Sequence, residues 1–396
     1  MTRPNWMRAV VGLAVASLVA VACGGDDEAG TDTTEPAGGP ATSTAESSGE
    51  GEGGELEPVR LQLQWFTQGQ FAGFFAADSL GFYEEQGIDI EILEGGVDIV
   101  PQTVLAQGEA DFAIAWVPKA LASREQGAAI TNVAQVFQRS GTLQVAFAES
   151  GIDTPEELAG ANVGNWGFGN EFELFAGMTE AGLDPGADVT LVQQQFDMVA
   201  LLNGEIDAAQ AMTYNEYAQV LEAVNPETGQ LYTEEDFTVI DWNDAGTAML
   251  QDAVWASTER LESDPAYEDL TVRFLTATFQ GWIHCRDNPE ECRDIVVAAG
   301  SQLGDSHQLW QVNEVNKLIW PSPNGIGIVD QAAWDQTVEI ARNATNAEGA
   351  TVLTAEPEGV AFTNEYAEQA LEALGDVDTT GDGFEPIEVT LEEAGA

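Results

Sequence analysis

The sequence predicts an α/β protein of two lobes, and three observations predict it. The body from residue 58 onward exceeds 330 residues, more than one core of ordinary size holds. Short stretches of strand alternation are followed again and again by helical periodicity, the pattern of parallel strands covered by helices. That rhythm runs from 59 to 126 and returns from 161 to 223, before a helix-dominated portion after Gly246.

Taken in order, 59–65 (VRLQLQW) alternates as a strand and leads to a helix over 71–80, closed by Gly81. Residues 89–93 form a second strand, and 97–107 a helix with Asp98 placed to cap it. Residues 111–116 (DFAIAW) form a third strand, followed by a helix over 118–126. In the second series, 161–166 is a strand and a helix starts at Asn170, with Asn170 and Glu173 at capping-box spacing. Strands over 189–192 and 207–212 alternate with helices over 197–202 and 214–223. Helices over 263–285, 289–299, 306–320, 331–341 and 363–374 complete the body, with a short strand at 387–391.

The N-terminus carries an export signal. Arg3 and Arg8 precede an uncharged run of 14 residues, 9–22, too short for a membrane span of about 20 residues. The run ends in Ala20-Val21-Ala22-Cys23, which resembles the site where bacterial lipoproteins are cut and acylated on cysteine. Residues 1–22 are thus expected to be removed and Cys23 lipidated, with an ordinary secretory signal as the alternative. Multiple acyl chains anchor far better than one. Residues 24–57 hold ten acids and no Lys or Arg among small and polar residues, a composition that buries too little apolar surface to fold. An acidic tether behind a lipid anchor places the body outside the cytoplasm at the cell membrane.

The chain has 68 acidic and 12 basic residues, a net charge of −56. Phosphate backbones are gripped by Lys and Arg, so nucleic acid is excluded as a partner. Solubility in a salty medium, where charge repulsion is screened, accounts for the acidity. With Cys23 assigned to lipid, Cys285 and Cys292 are left in an exported chain, and a disulfide between them is predicted across a helix–turn–helix corner. Asn288 is placed to cap the second helix, with Pro289 at its first position. Zinc finds too few ligands, since the chain holds only two histidines, His284 and His307. No cofactor or metal motif is found: Asp378-Thr379-Thr380-Gly381-Asp382-Gly383 imitates a calcium loop but places Val389 where its twelfth-position glutamate belongs.

In open parallel sheets ligands bind beyond the carboxyl ends of the strands. Here those ends are rich in aromatic and amide side chains. They supply Trp65, Gln68 and Phe71, then Trp116, then Trp166, Phe168, Asn170 and Glu171, then Phe196 and Met198, then Tyr214, Asn215 and Glu216, with Asp98 between. A lone tryptophan at a strand end is more often core. Clustering at five ends points instead to a pocket for a flat ligand stacked between rings and held by a few polar groups.

The segments LQLQWFTQGQFAGFFAADSLGFYEEQGIDIEILEGGVD, GIDTPEELAGANVGNWGFGNEF and DAAQAMTYNEY resemble the binding proteins related to those for thiamine pyrimidine precursors, sulfonates and nitrate. That resemblance spans most of 58–345. It implies the type II periplasmic binding fold, with lobe 1 over 58–146 plus 247–396 and lobe 2 over 147–246, closing by a hinge on a small ligand. It further implies a monomer that serves an ABC permease in the membrane. Pyrimidine binders of that family carry histidine where Phe71 stands, and proline and asparagine where Thr67 and Gln68 stand, while Trp65 is kept. The variant TQGQFAGFF is most similar to proteins assigned to riboflavin uptake, so a flavin is the expected ligand, with a thiamine pyrimidine precursor next. Sulfonate or nitrate lacks a basic cluster, Arg139 and Lys119 being the nearest candidates, although a helix N-terminus at Asn170 offers another anion site. Lys119 itself reads as a surface charge. A pyrimidine-forming enzyme of the same superfamily needs a cysteine-rich motif and a histidine that residues 58–283 do not contain, so no catalysis is expected.

Overall fold

The computed structural model describes residues 55–396. The signal peptide, Cys23 and the tether up to residue 54 lie outside the described residues. The described residues form ten strands: β1 (Glu57–Gln62), β2 (Ile88–Leu93), β3 (Phe112–Trp116), β4 (Ile130–Gln135), β5 (Thr142–Phe147), β6 (Asn162–Asn165), β7 (Thr190–Gln193), β8 (Ala208–Met212), β9 (Phe237–Asp241) and β10 (Asp252–Ser257). They make two five-stranded sheets of orders β2-β1-β3-β10-β4 and β7-β6-β8-β5-β9. In the first sheet β1 runs parallel to β2 and β3, and β10 runs antiparallel to β3 and β4. The second repeats the scheme, with β6 parallel to β7 and β8, and β5 antiparallel to β8 and β9. Each sheet's reversed strand is thus delivered by chain arriving from the other sheet.

Those two crossings, 136–141 and 242–251, are laced together. The Gln251 amide accepts from Gly141 N at 2.8 Å and donates to the Ser140 and Thr142 hydroxyls. Asn243 accepts from Ser140 N and donates to Ser140 O. The Glu173 carboxylate, on the helix Phe172–Glu180, accepts from Ser140 Oγ and from Met249 N. It is therefore fastened to both crossings.

The helix Ala72–Ser79 lies on the long helix Pro265–Asp287 at the closest distance backbones allow. A Cβ on Gly281 would stand 2.0 Å from Gly73 O, and one on Gly73 would strike the Trp282 ring. Trp282, Phe74 and Phe137 then fill the first lobe's main core.

Several expectations change. Strands β4, β5, β9 and β10 were not anticipated, and β5 sits in the second sheet, so the change of lobe precedes residue 142 rather than falling at 146/147. Residues 387–391 form no strand; Val389 and Leu391 pack on the second sheet's core, although 247–396 was assigned wholly to lobe 1. Pro101 occupies the first position of the helix Pro101–Ala106 and holds its predecessor Val100 extended as N-cap, which leaves Asp98 outside in a turn. The helix after β6 starts at Phe172, too late for a capping box from Asn170. Asn288 does precede Pro289, but its amide donates to His284 O and so finishes the preceding helix. The Cys285 and Cys292 sulfurs are bonded, with Cα atoms 5.4 Å apart. Asp378 Oδ1 accepts from Thr380 N, Thr380 Oγ1 and Gly381 N, forming a turn, and its Oδ2 pairs with Arg286.

Candidate ligand-binding cleft

A cleft of about 560 Å3 opens where the carboxyl ends of the parallel strands from both sheets face one another. β1 leads into Gln64, Trp65, Gln68 and Gln70; β3 into Trp116 and Lys119; β6 into Trp166, Phe168 and Asn170; β7 into Phe196; and β8 into Tyr214, Asn215 and Glu216. The turn after β2, residues 96–102, closes one side with Asp98. A second hollow, of about 620 Å3, lies away from the strand ends beside Trp334 and Phe362, and there Arg342 is already paired with Glu356.

Of the residues expected at the site, Trp65, Gln68, Asp98, Trp116, Trp166, Phe168, Asn170, Tyr214, Asn215 and Glu216 line this cleft. Two do not. Phe71 is wholly buried in the first core, because the tight turn Gly69–Phe71 rotates its ring inward and leaves Gln70 facing Asp252. Glu171 folds back so that its Oε2 accepts from Gly169 N at 3.0 Å. Arg139 points elsewhere, donating to the carbonyls of Lys317, Leu318 and Pro321. Lys119, expected as a surface charge, instead lines the cleft with its Nζ 5.0 Å from the Trp116 ring centroid.

The aromatic groups form a continuous wall. Trp65 meets Phe196 at 4.8 Å between centroids, and Phe196 stacks on Trp166 at 5.7 Å. Phe168 is 77% exposed at the mouth and holds a left-handed backbone, φ 57°, between two glycines that share it. A non-glycine residue in that region stores strain, and such positions gather at ligand sites.

The polar groups were harder to foresee. Gln64 and Gln70 line the cleft, and both donate to Asp252, which carried no signal in the sequence because it begins a strand almost two hundred residues later. Burial pushes the Asp252 carboxyl up to about 7, against the opposing hydrogen bonds from Gln70, Trp116 and Gln64. Burial also pushes Glu216 up, against bonds from Met212 N and Asn215. Lys119 is lowered to about 8 by burial, with Glu171 and Asp252 holding it up. Behind the wall His307, 1% exposed, bridges Glu222 and Asn215 at 2.8 and 3.0 Å.

Residues 68–292 match the family described as NMT1/THI5 like. The chain belongs to that family. Among its curated relatives, the NMT1/THI5-like chain is 22% identical over 289 residues to the formylaminopyrimidine-binding protein of Halalkalibacterium halodurans, covering 72% of this chain and 84% of that one. It is 26% identical over 324 residues to the riboflavin-binding protein RibY of Chloroflexus aurantiacus, covering 78% and 86%. A 4-amino-5-hydroxymethyl-2-methylpyrimidine phosphate synthase of Legionella pneumophila also matches, at 25% over 249 residues, covering 62% and 74%. The fold is that of a putative periplasmic sulfonate-binding protein from Methylobacillus flagellatus, with a TM-score of 0.59, 17% identity, and coverage of 85% of this chain and 99% of that one.

Proposed function

We propose that the protein is the extracytoplasmic solute-binding component of an ABC importer, and that it captures a small aromatic heterocycle, a flavin or a thiamine pyrimidine precursor, between its two lobes. The observation that carries this is the cleft wall of Trp65, Phe196 and Trp166. It joins the strand ends of both sheets and leaves room for a ring-sized ligand. A ligand held by both lobes favours the closed form through contacts that the open form lacks, and a permease reads that form. The export signal with Cys23 supports a lipid-anchored location.

Synthases occur among the relatives, and the reading of this chain as a binding protein is supported by where its two histidines lie. His307 is sealed behind Asn215, and His284 is paired with Glu291 at the surface of the disulfide corner. The test is a thermal-shift and tryptophan-fluorescence screen of the whole chain with riboflavin, flavin mononucleotide, hydroxymethylpyrimidine, thiamine, taurine and nitrate. A ligand at 100 times its Kd should stabilise the fold by about 2.7 kcal/mol. A shift with riboflavin or the pyrimidine supports the proposal; a shift with taurine or nitrate alone overturns it.

A further inference from the structure

We infer that Asp252 is a positioning residue that makes the cleft a lining of hydrogen-bond acceptors, so that it selects an unphosphorylated heterocycle bearing N–H donors. The inference rests on the reading of the cleft as a ligand site and goes on to define what that ligand must carry. Asp252 Oδ1 accepts from Gln64 Nε2 at 2.5 Å and from Trp116 Nε1 at 2.8 Å, and Oδ2 accepts from Gln70 Nε2 at 2.9 Å. Indole Nε1 can only donate, and both glutamines likewise turn an NH2 toward this carboxyl group, which accepts from all three. The oxygen of Gln70 then faces Gln68 and takes that residue's Nε2 at 2.8 Å. One carboxylate thereby orients three glutamines. Gln64 Oε1 and Gln68 Oε1 are left as acceptors with no partner among the described residues, at positions that line the cleft.

The second lobe presents the same character. The Asn170 amide nitrogen donates to Gly167 O, which leaves its Oδ1 free among the described residues, and the Glu216 carboxylate lines the same cleft. A ligand with N–H or NH2 edges satisfies these oxygens. A ligand lacking them leaves buried acceptors unpaired, which is costly.

Anions are disfavoured by two further features. Lys119 is the single Lys or Arg in the lining among the described residues. At the start of the helix Phe172–Glu180, where an anionic ligand would meet free N–H groups, the chain's own Glu171 carboxylate takes the Gly169 N–H. Asp98 and Glu216 add negative charge to the lining.

Two measurements test this on the full chain. Fluorescence titrations would compare riboflavin with 3-methylriboflavin and with flavin mononucleotide. They would also compare 4-amino-5-hydroxymethyl-2-methylpyrimidine with its 4-dimethylamino analogue. The wild-type protein is expected to bind the unmethylated partner of at least one pair at least 10-fold more tightly, and to bind flavin mononucleotide no better than riboflavin. Asp252→Asn, which places an NH2 against one of its three donors, is expected to shrink the methyl discrimination to within about 3-fold while the melting curve stays cooperative. Equal wild-type affinities for methylated and unmethylated ligands would overturn the inference, as would undiminished discrimination in folded Asp252→Asn, and in both cases the binding function would stand. If none of these compounds binds, the functional reading falls and this inference falls with it.

Discussion

The rings of Trp65 and Phe196 lie 4.8 Å apart, although one follows a strand of the first sheet and the other a strand of the second. This contact spans the two lobes on one side of the cleft, and Trp166 extends it through Phe196 at 5.7 Å. A ligand that inserts beside Trp65 therefore touches a surface that both lobes build.

Trp65→Ala removes the first-lobe half of that wall at a partly exposed position. It is expected to weaken ligand binding at least 10-fold, about 1.4 kcal/mol, with a small change in melting temperature. Trp166 is only 3% exposed, so truncation there would add a core cost of about 3–5 kcal/mol, and Trp166→Phe is the cleaner probe. Titration and melting of both variants separate the effects; unchanged affinity in both removes the wall from the binding site.

Gly281→Ala drives a methyl group into Gly73 O, which the two packed helices cannot avoid without separating. Overpacking of this kind costs about 1–3 kcal/mol, so urea midpoints should fall with the slope preserved. The ligand preference of the remaining folded protein should not change, because the contact lies in the first core and away from the cleft.

The bond between Cys285 and Cys292 closes a short loop, and the chain-entropy account gives it about 2–3 kcal/mol. Both cysteines are fully buried. The double substitution to alanine is expected to lower the melting temperature while leaving ligand affinity within 2-fold. Wild type melted with and without reductant checks the same quantity, and an unchanged midpoint in both experiments would contradict it.

Glu173 fastens both crossings, yet burial pushes its carboxyl up to about 7 from an ordinary 4.5, against the bonds from Met249 N and Ser140. The folded protein therefore keeps a proton that the unfolded chain releases between about pH 4.5 and 7. The stability this group contributes is fully present below that window and is lost as pH rises through 7. Melting temperatures at pH 5 and pH 8 should differ less in Glu173→Gln than in wild type, since the amide does not titrate. Equal differences would refute the assignment.

Much of the fold is legible in local pattern. VRLQLQW and DFAIAW read as strands because each carries enough alternation or apolar density to need no distant information. The helices Pro289–Ala298, Asp305–Ile319 and Gln331–Asn343 were placed to within two residues of their ends. β4 escaped because ITNVAQ is buried at all six positions, its polar Thr131, Asn132 and Gln135 included, so no polar face marks it as a strand. β5 and β10 escaped for a related reason: each is a reversed strand whose partners lie in chain it reaches only by crossing between lobes.

The sequence by itself determined the alternation of strands and helices, the strong net acidity, and the aromatic and amide residues at the strand ends. Those features depend on neighbours in the chain. Only the tertiary structure decided that Phe71 turns into the core, that Lys119 faces the cleft, and that Asp252 joins Gln64, Gln70 and Trp116. The physical reason is that hydrogen-bond direction is set by the partner. Whether a glutamine offers the cleft its oxygen or its nitrogen depends on a carboxylate from β10, a strand of the same sheet that the chain reaches only after it has built the second lobe.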